Sequence, residues 1–386
     1  MKQQLFSGKS SFEELLPVLQ RHYEPKHIFL VRGKRSYELC GAKDIMNYFF
    51  AKLQCEVTEF YDFEENPKIE DLERGLALLS YSSASFIIAI GGGSVIDMAK
   101  LIRFFYSFSG EPTSDNFIKE RELIPLIAIP TTSGTGCEAT HFAVLYKNKR
   151  KYSVAHNSIL PDIAVIYPQF TYQNSKYLTA CTGFDALAQG IEAYWSIHAT
   201  EESIGYAKKA IQLLWRNLPV AVNSPNGNVR SKISEGAYWA GKAINIAKTT
   251  ASHALSYPFT SYYNIPHGHA VALTFPFVMS INFVISEENV HSSTTVFDIR
   301  KRLDSLADIL DISNKEADIV FILRNYICEL GLSFVLPVEY NRQVVLDNVN
   351  LQRIGNNPRI LTSNDLNLIL EQLEQTSSFG FHRIGE

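Results

Sequence analysis

The stretch SFIIAIGGGSVIDMAK, residues 85–100, constrains the fold more than any other part of the chain. An apolar run that does not alternate with polar residues reads as a strand buried on both faces, as in a parallel sheet covered by helices. The glycines that follow turn the chain sharply, and Val95 to Phe105 then carries a helical period. The same order recurs along the chain. HIFLV at 27–31, CEVTEF at 55–60, LIPLIAI at 123–129 and DIAVIY at 162–167 read as further strands, with a helical stretch from Glu70 to Leu79 among them.

After about Tyr167 the strand signal fades, and the rest of the chain carries mainly 3.6-residue patterns. The expected fold class is therefore α/β plus all-α. A parallel-sheet domain spans 1–172 and a helical domain 173–386, with the boundary inside 168–176. A length of 386 residues accommodates two such cores. No repeat or low-complexity segment stands out, and the end, SSFGFHRIGE, reads as a loosely held terminus.

Charge and composition narrow the function by exclusion. A net charge of -4 gives no electrostatic reason to bind nucleic acid or an anionic membrane. The longest apolar runs, such as Phe86 to Ile90 and Leu126 to Ile129, are too short to span a bilayer. MKQQLFSGKSSFEELL lacks the apolar centre and cleavage site of a signal peptide. Cys40, Cys55, Cys137, Cys181 and Cys328 are odd in number and show no CxxC spacing, which points to a reducing cytoplasm rather than to disulfides or a thiolate zinc site.

Two loops have phosphate-binding character. Gly91, Gly92, Gly93 and Ser94 lie between a strand and a helix, where the backbone can approach an anion and the helix offers unpaired N–H groups. Asp97 and Lys100 follow on that helix. The pattern is not GxGxxG, so a plain glycine turn is the competing reading. A second loop after the next strand, IPTTSGTGCEAT, sets Thr131, Thr132 and Thr135 at another strand C-terminus, where open α/β sheets take their ligands. At the end of the first of these strands, Gly33, Lys34 and Arg35 would welcome a 2′-phosphate, which favours NADPH over NADH, a solvated basic turn being the competing reading for each of them.

The helical half holds candidates for a metal. Asp185 and Gln189 are spaced i, i+4 and share one helix face. His253 and His267 follow in an apolar, aromatic neighbourhood, 267 − 253 = 14 residues apart. Two imidazoles, a carboxylate and an amide oxygen suit Fe²⁺ or Zn²⁺. Taken singly, each histidine also fits a hydrogen-bonded core residue.

Together these pieces resemble the iron-containing (group III) alcohol dehydrogenases. The resemblance is carried by Gly91-Gly92-Gly93-Ser94 with Asp97 and Lys100, and by Pro130 to Gly136. It continues through Gly183-Phe184-Asp185-Ala186-Leu187, Ile191-Glu192-Ala193-Tyr194, His253, Pro258, Pro266-His267-Gly268 and Asn357-Pro358-Arg359. It implies a dinucleotide-binding first domain, a metal-binding second domain and a cleft between them. A dimer and NAD(P)H-dependent reduction of a small aldehyde to a primary alcohol are implied as well. The family's metal ligands map onto Asp185, Gln189, His253 and His267, with Gln189 standing where the family has His. Tyr257 stands where the family commonly has a His near the metal, so Tyr257 or His269 is expected to relay the proton.

Within that family the chain is most similar to phosphonoacetaldehyde reductases, through LVRGKRSYELCGA, THFAVLY with KYSVAH, and PHGHAVALT. His141, Lys151, Ser153 and His156 would then hold the phosphonate by charge-assisted hydrogen bonds, unless KNKRKY at 147–152 is only a basic hairpin turn. The other readings are a general aldehyde reductase, a lyase or cyclase resembling dehydroquinate synthase, and a non-catalytic relic.

Overall fold

A computed structural model describes residues 3–112, 116–147, 150–312 and 316–378. Of the terminal SSFGFHRIGE, residues 379–386 lie outside these. The chain divides into two compact units, Met1–Asn174 and Ser175–Glu386.

The first unit is built on a six-stranded sheet. Its strands are β1 (Gln4–Ser7), β2 (His27–Arg32), β3 (Glu56–Phe60), β4 (Phe86–Gly91), β5 (Leu126–Pro130) and, after a hairpin of β6 (Phe142–Lys147) and β7 (Arg150–Ala155), β8 (Ile163–Ile166). Their spatial order is β1-β8-β5-β4-β2-β3, and every pairing is parallel. Successive strand residues face opposite sides of the sheet. Accordingly Ile28, Leu30, Ile88 and Ile90 pack with Leu15, Leu19, Met46 and Phe49 from α1 (Ser11–His22) and α2 (Ala42–Leu53). Phe29, Val31, Ile87 and Ala89 pack with Leu72, Leu79, Leu101 and Ile102 from α3 (Ile69–Ser82) and α4 (Gly93–Ser107) on the other face. Both faces are covered, which is why the strand sequences carry so little polar residue.

Two elements exceed the sequence expectation. β1 is four residues at the sheet edge, mostly exposed, so it has no apolar run to announce it. The hairpin pairs Val144 with Ser153 and Tyr146 with Lys151, which turns Ala143, Leu145 and Val154 into the core.

The second unit is helical: α5 (Lys176–Trp195), α6 (Glu201–Asn223), α7 (Gly227–Ala247), α8 (Ala251–Tyr263), α9 (His267–Phe283), α10 (Val296–Leu310), α11 (Glu316–Glu329) and α12 (Ser363–Ser378), with shorter helices at Arg342–Asp347 and Leu351–Ile354. α5 begins with Ser175, whose hydroxyl accepts the Leu178 N–H, and is buried along nearly its whole length. Small residues permit this: a Cβ at Gly183 would come 2.2 Å from Leu218. Among the described residues, no helix is long and apolar enough to cross a membrane. All five cysteines are free.

Glu138, in the short helical turn Cys137–Ala139 that follows the threonine loop, is 3 % exposed. Burial pushes its carboxyl from 4.5 up to about 7, against its own backbone N–H and the Lys100 charge. The folded chain thus holds a proton there that the unfolded chain has lost, so this group's effect on stability becomes more unfavourable from about pH 4.5 to about pH 7. Glu138→Gln removes that dependence. Urea unfolding of the full chain should show the stability difference between wild type and Glu138→Gln shift by about 3 kcal/mol from pH 4 to pH 8, in favour of the glutamine at the higher pH. A pH-independent difference would contradict the assignment.

Candidate metal centre and dinucleotide cradle

In the second unit the sequence brings four candidate ligands together from three helices. Asp185 and Gln189 project from α5, His253 comes from the first turn of α8 and His267 opens α9. The ligand atoms of Asp185, His253 and His267 all lie within 4.8 Å of one another. His253 Nε2 is 3.2 Å from Asp185 Oδ1 and His267 Nε2 is 3.8 Å from the same oxygen. Gln189 Nε2 donates to Asp185 Oδ2 at 3.1 Å. Its amide oxygen is buried without a hydrogen-bond partner, an unmet acceptor of the kind a cation satisfies. The donor set of two imidazoles, a carboxylate and an amide oxygen therefore fits a divalent ion.

Behind these ligands lies a residue with no assigned role in the sequence expectation. Glu192 is 0 % exposed and its Oε2 stands 2.5 Å from His253 Nδ1. The same carboxylate accepts the N–H groups of Thr250 at 3.0 Å and Ser252 at 2.8 Å. The signal was available, since 192 − 185 = 7 puts Glu192 two turns on from Asp185 on the same face, among AYW. His267 is backed differently, with Nδ1 3.4 Å from the Ser256 hydroxyl.

The charges are mutually arranged. Burial pushes Asp185 up, but the hydrogen bond from His253, the charges of both histidines and the bond from Gln189 together hold it below the usual carboxylate value. Burial pulls His253 down, and the Glu192 charge with the hydrogen bonds to Asp185 and Glu192 overrides it, lifting His253 to about 10.

The two relay candidates part company. Tyr257 stacks on the ligand His267, with ring centres 5.9 Å apart. His269 has both nitrogens engaged: Nε2 donates to the Ser333 carbonyl at 2.7 Å, and Nδ1 lies 2.9 Å from the Tyr177 hydroxyl. A carbonyl only accepts, so the ring proton sits on Nε2 and Tyr177 donates to Nδ1. Burial lowers the His269 pKa, against the opposing hydrogen bond to Ser333. The expected proton relay through His269 thus finds no free nitrogen.

In the first unit, Gly92 precedes α4 and Gly93 and Ser94 open it. By the geometry of a helix start, their N–H groups point out of the turn. The two loops meet here. A Cβ on Gly93 would lie 3.0 Å from Thr135, one on Gly92 would lie 3.8 Å from Thr132, and the Thr131 N–H donates to the Gly91 carbonyl at 3.0 Å. Gly91 itself is closed by Val95, 2.5 Å from an added Cβ. The Thr131 hydroxyl is 1 % exposed and has no hydrogen-bond partner. The apposed glycine turn and threonine loop offer amide and hydroxyl groups of the kind that suit a pyrophosphate.

Three expectations are corrected by their surroundings. Lys100 is fully buried and its ammonium donates to the carbonyls of Cys137 and Phe142 and the Thr140 hydroxyl, so it holds the loop and hairpin rather than a phosphate. Asp97 accepts the Val144 N–H at 2.9 Å and pins the same hairpin. His156 Nδ1 accepts the Ser158 N–H, and its ring packs on Phe104 and Phe108, so it leaves the phosphonate group. Lys34 pairs with Asp62 at 3.0 Å and Arg32 with Glu59, so a 2′-phosphate would compete with Asp62 for Lys34. The remaining positions stand as follows. Gly33 is buried at the end of β2 with its N–H on the Ile90 carbonyl, Arg35 is exposed, His141 is half-buried beside Phe142, and Ser153 is exposed on the hairpin. The Lys151 side chain lies outside the described residues.

The model of the iron-containing alcohol dehydrogenase family matches residues 2–168, and that of the Fe-containing alcohol dehydrogenase family C-terminal region matches 179–334. The chain belongs to the iron-containing alcohol dehydrogenase family. It is 31% identical over 311 residues to phosphonoacetaldehyde reductase of Streptomyces viridochromogenes, covering 76% of this chain and 78% of that protein. It is 33% identical over 280 residues to aldehyde-alcohol dehydrogenase 2 of Entamoeba histolytica, covering 67% of this chain but only 32% of that longer protein. Its fold matches the iron-containing alcohol dehydrogenase of Thermotoga maritima with TM-score 0.81 at 26% identity, covering 97% of this chain and 98% of that one. The chain is an oxidoreductase of this family, whose members use NAD(P) and a metal.

One glycine holds the metal centre closed. A Cβ at Gly268 would stand 1.9 Å from the Cys181 carbonyl oxygen and 3.1 Å from Asp185 Cβ. The Cys181 backbone cannot yield cheaply, so Gly268→Ala pushes the start of α9, and His267 with it, away from Asp185. The expected result is at least a roughly tenfold loss of Zn²⁺ affinity by competition titration, with destabilisation of about 1–3 kcal/mol. Affinity equal to wild type would show that the approach is not required.

Proposed function

We propose that the protein is a metal-dependent, NADPH-linked reductase that converts a small aldehyde to a primary alcohol, with phosphonoacetaldehyde as substrate and 2-hydroxyethylphosphonate as product. The observation that carries the reductase reading is the convergence of Asp185, His253 and His267, whose ligand atoms lie within 4.8 Å of one another, with the buried, unpartnered amide oxygen of Gln189 one helical turn on from Asp185. The phosphonate assignment is supported by the likeness to the Streptomyces reductase and by the hairpin bearing Ser153 and Lys151.

When bound, a divalent ion held by Asp185, His253, His267 and Gln189 supplies Lewis acidity toward a carbonyl oxygen, and a nicotinamide supplies hydride. The chain's own part is to hold and orient. The N–H groups at Gly92 to Ser94 and the hydroxyls of Thr131, Thr132 and Thr135 bind the pyrophosphate. Arg35, with Lys34 once released from Asp62, binds the 2′-phosphate. Glu192 and Ser256 fix the two imidazoles, each through Nδ1. Tyr257, stacked on His267, takes the role of conducting a proton from water to the product oxygen. The overall change is aldehyde plus NADPH plus a proton to alcohol plus NADP⁺. The protein is expected to work in the cytoplasm as a homodimer.

The turning of His156 into the aromatic cluster favours a second reading, a general aldehyde reductase without a phosphonate site. Both are tested by following NADPH oxidation by the metal-loaded protein with phosphonoacetaldehyde, with a simple aldehyde and with no substrate. Higher kcat/KM for phosphonoacetaldehyde supports the proposal, a higher value for the simple aldehyde supports the second reading, and no oxidation rejects both. Replacing Lys34 and Arg35 together by Ala should weaken NADPH by roughly tenfold or more while leaving NADH within about threefold. Equal losses for the two coenzymes would end the NADPH assignment.

A further inference from the structure

We infer that Glu192 is the positioning residue on which ion binding by the Asp185–His253–His267 centre depends, offsetting the weak amide donor at Gln189. This rests on the metal centre proposed above. Glu192 does two things from one buried position. Its Oε2 accepts the His253 Nδ1 proton, which fixes the ring and leaves Nε2, 3.2 Å from Asp185 Oδ1, as the nitrogen that would give up its proton to bind an ion. Its two oxygens also accept the N–H groups of Thr250 and Ser252 at the start of α8, a helix whose own N-terminal residue Thr250 makes no side-chain cap. One carboxylate therefore sets both the ring of His253 and the end of the helix that carries it.

The turn presenting these amides is itself held from several sides. Trp195 Nε1 donates to the Thr250 hydroxyl at 3.0 Å, Asn356 Nδ2 donates to the Thr249 carbonyl at 2.8 Å, and Arg353 donates to the Thr249 hydroxyl at 3.1 Å. His267, by contrast, has a side chain 33 % exposed and is backed by a hydroxyl at 3.4 Å. The two imidazoles are thus unequal donors. A carboxylate behind a ligating imidazole increases its basicity, and Glu192 stands behind His253 in this way. Gln189 offers a neutral oxygen where an imidazole would bind more strongly, so the centre leans on the Glu192–His253 pair. The charges also balance: Asp185 and Glu192 together carry the two negative charges that a divalent ion neutralises in a buried place.

The test uses the full chain stripped of metal, with equilibrium Zn²⁺ titration against a competing chelator and Co²⁺ absorption as a report on ligand field. Wild type, Glu192→Gln, Glu192→Asp and Ser256→Ala are compared, with cooperative melting as the check on folding. Glu192→Gln is expected to raise the Zn²⁺ Kd on the order of 10–100-fold and to change the Co²⁺ spectrum. Glu192→Asp should recover part of the affinity, and Ser256→Ala should lose less than Glu192→Gln. A folded Glu192→Gln chain with Kd within about threefold of wild type and an unchanged Co²⁺ spectrum overturns the inference while leaving the metal centre standing. If Glu192→Gln does not melt cooperatively, Glu192→Asp decides: weakened binding supports the inference and wild-type affinity overturns it. A wild-type chain that takes up neither ion overturns the metal centre itself, and this inference with it.

Discussion

Asp185 and Glu192 are carboxylates buried in the interior of a helical unit, 3 % and 0 % exposed, with the imidazole of His253 between them. Isolated ionised carboxylates in such a place cost far more than a domain's net stability can absorb, so they persist only where cations and hydrogen bonds answer them. Much of the second unit can be understood as that answer. α5 is lined with small residues that let α6, α7 and α9 close on it, and Gly268 lets the first turn of α9 come down on Cys181 and Asp185. The N-terminus of α8 is aimed at Glu192, and the segment carrying Arg353 and Asn356 steadies the turn before it. A divalent ion held by Asp185, His253 and His267 would complete the compensation.

The first unit solves a different problem with the same economy. A parallel sheet must bury both faces, and its strand C-termini are where backbone groups come free. Gly91 to Ser94 and Thr131 to Thr135 use two neighbouring C-termini to bring backbone amides and hydroxyls together. The charged residues next to these loops turn away from that task. Lys100 and Asp97 are spent on the loop and hairpin behind it, which fixes the shape of the cradle instead of its charge.

Much of this was legible in the sequence, and the reasons for the exceptions are physical. The central strands announce themselves because burial on both faces leaves continuous apolar runs at 27–31, 85–90 and 123–129. β1 does not, because an exposed edge strand of four residues needs no such run. The candidate metal ligands stand out by helical spacing and resemblance, whereas Glu192 appears only within the Ile191-Glu192-Ala193-Tyr194 motif. A carboxylate among Ala193, Tyr194 and Trp195 on the face of Asp185 is the signal that was there to be used. Lys100 and His156 misled for a shared reason. Residue type shows what a side chain can bind, but only packing shows that a lysine has given its protons to three oxygens of the loop and hairpin, or that an imidazole has joined Phe104 and Phe108.

The central claim is that these helices form a metal centre whose indispensable anionic ligand is Asp185. It is tested most directly by counting the Zn²⁺ bound per chain by equilibrium dialysis, in wild type and in Asp185→Asn. The account predicts one ion per chain in the wild type and a substantial loss of binding in the variant, since Asn keeps the shape but removes the charge that both imidazoles face. Full occupancy in Asp185→Asn, or no ion in the wild type, would contradict it.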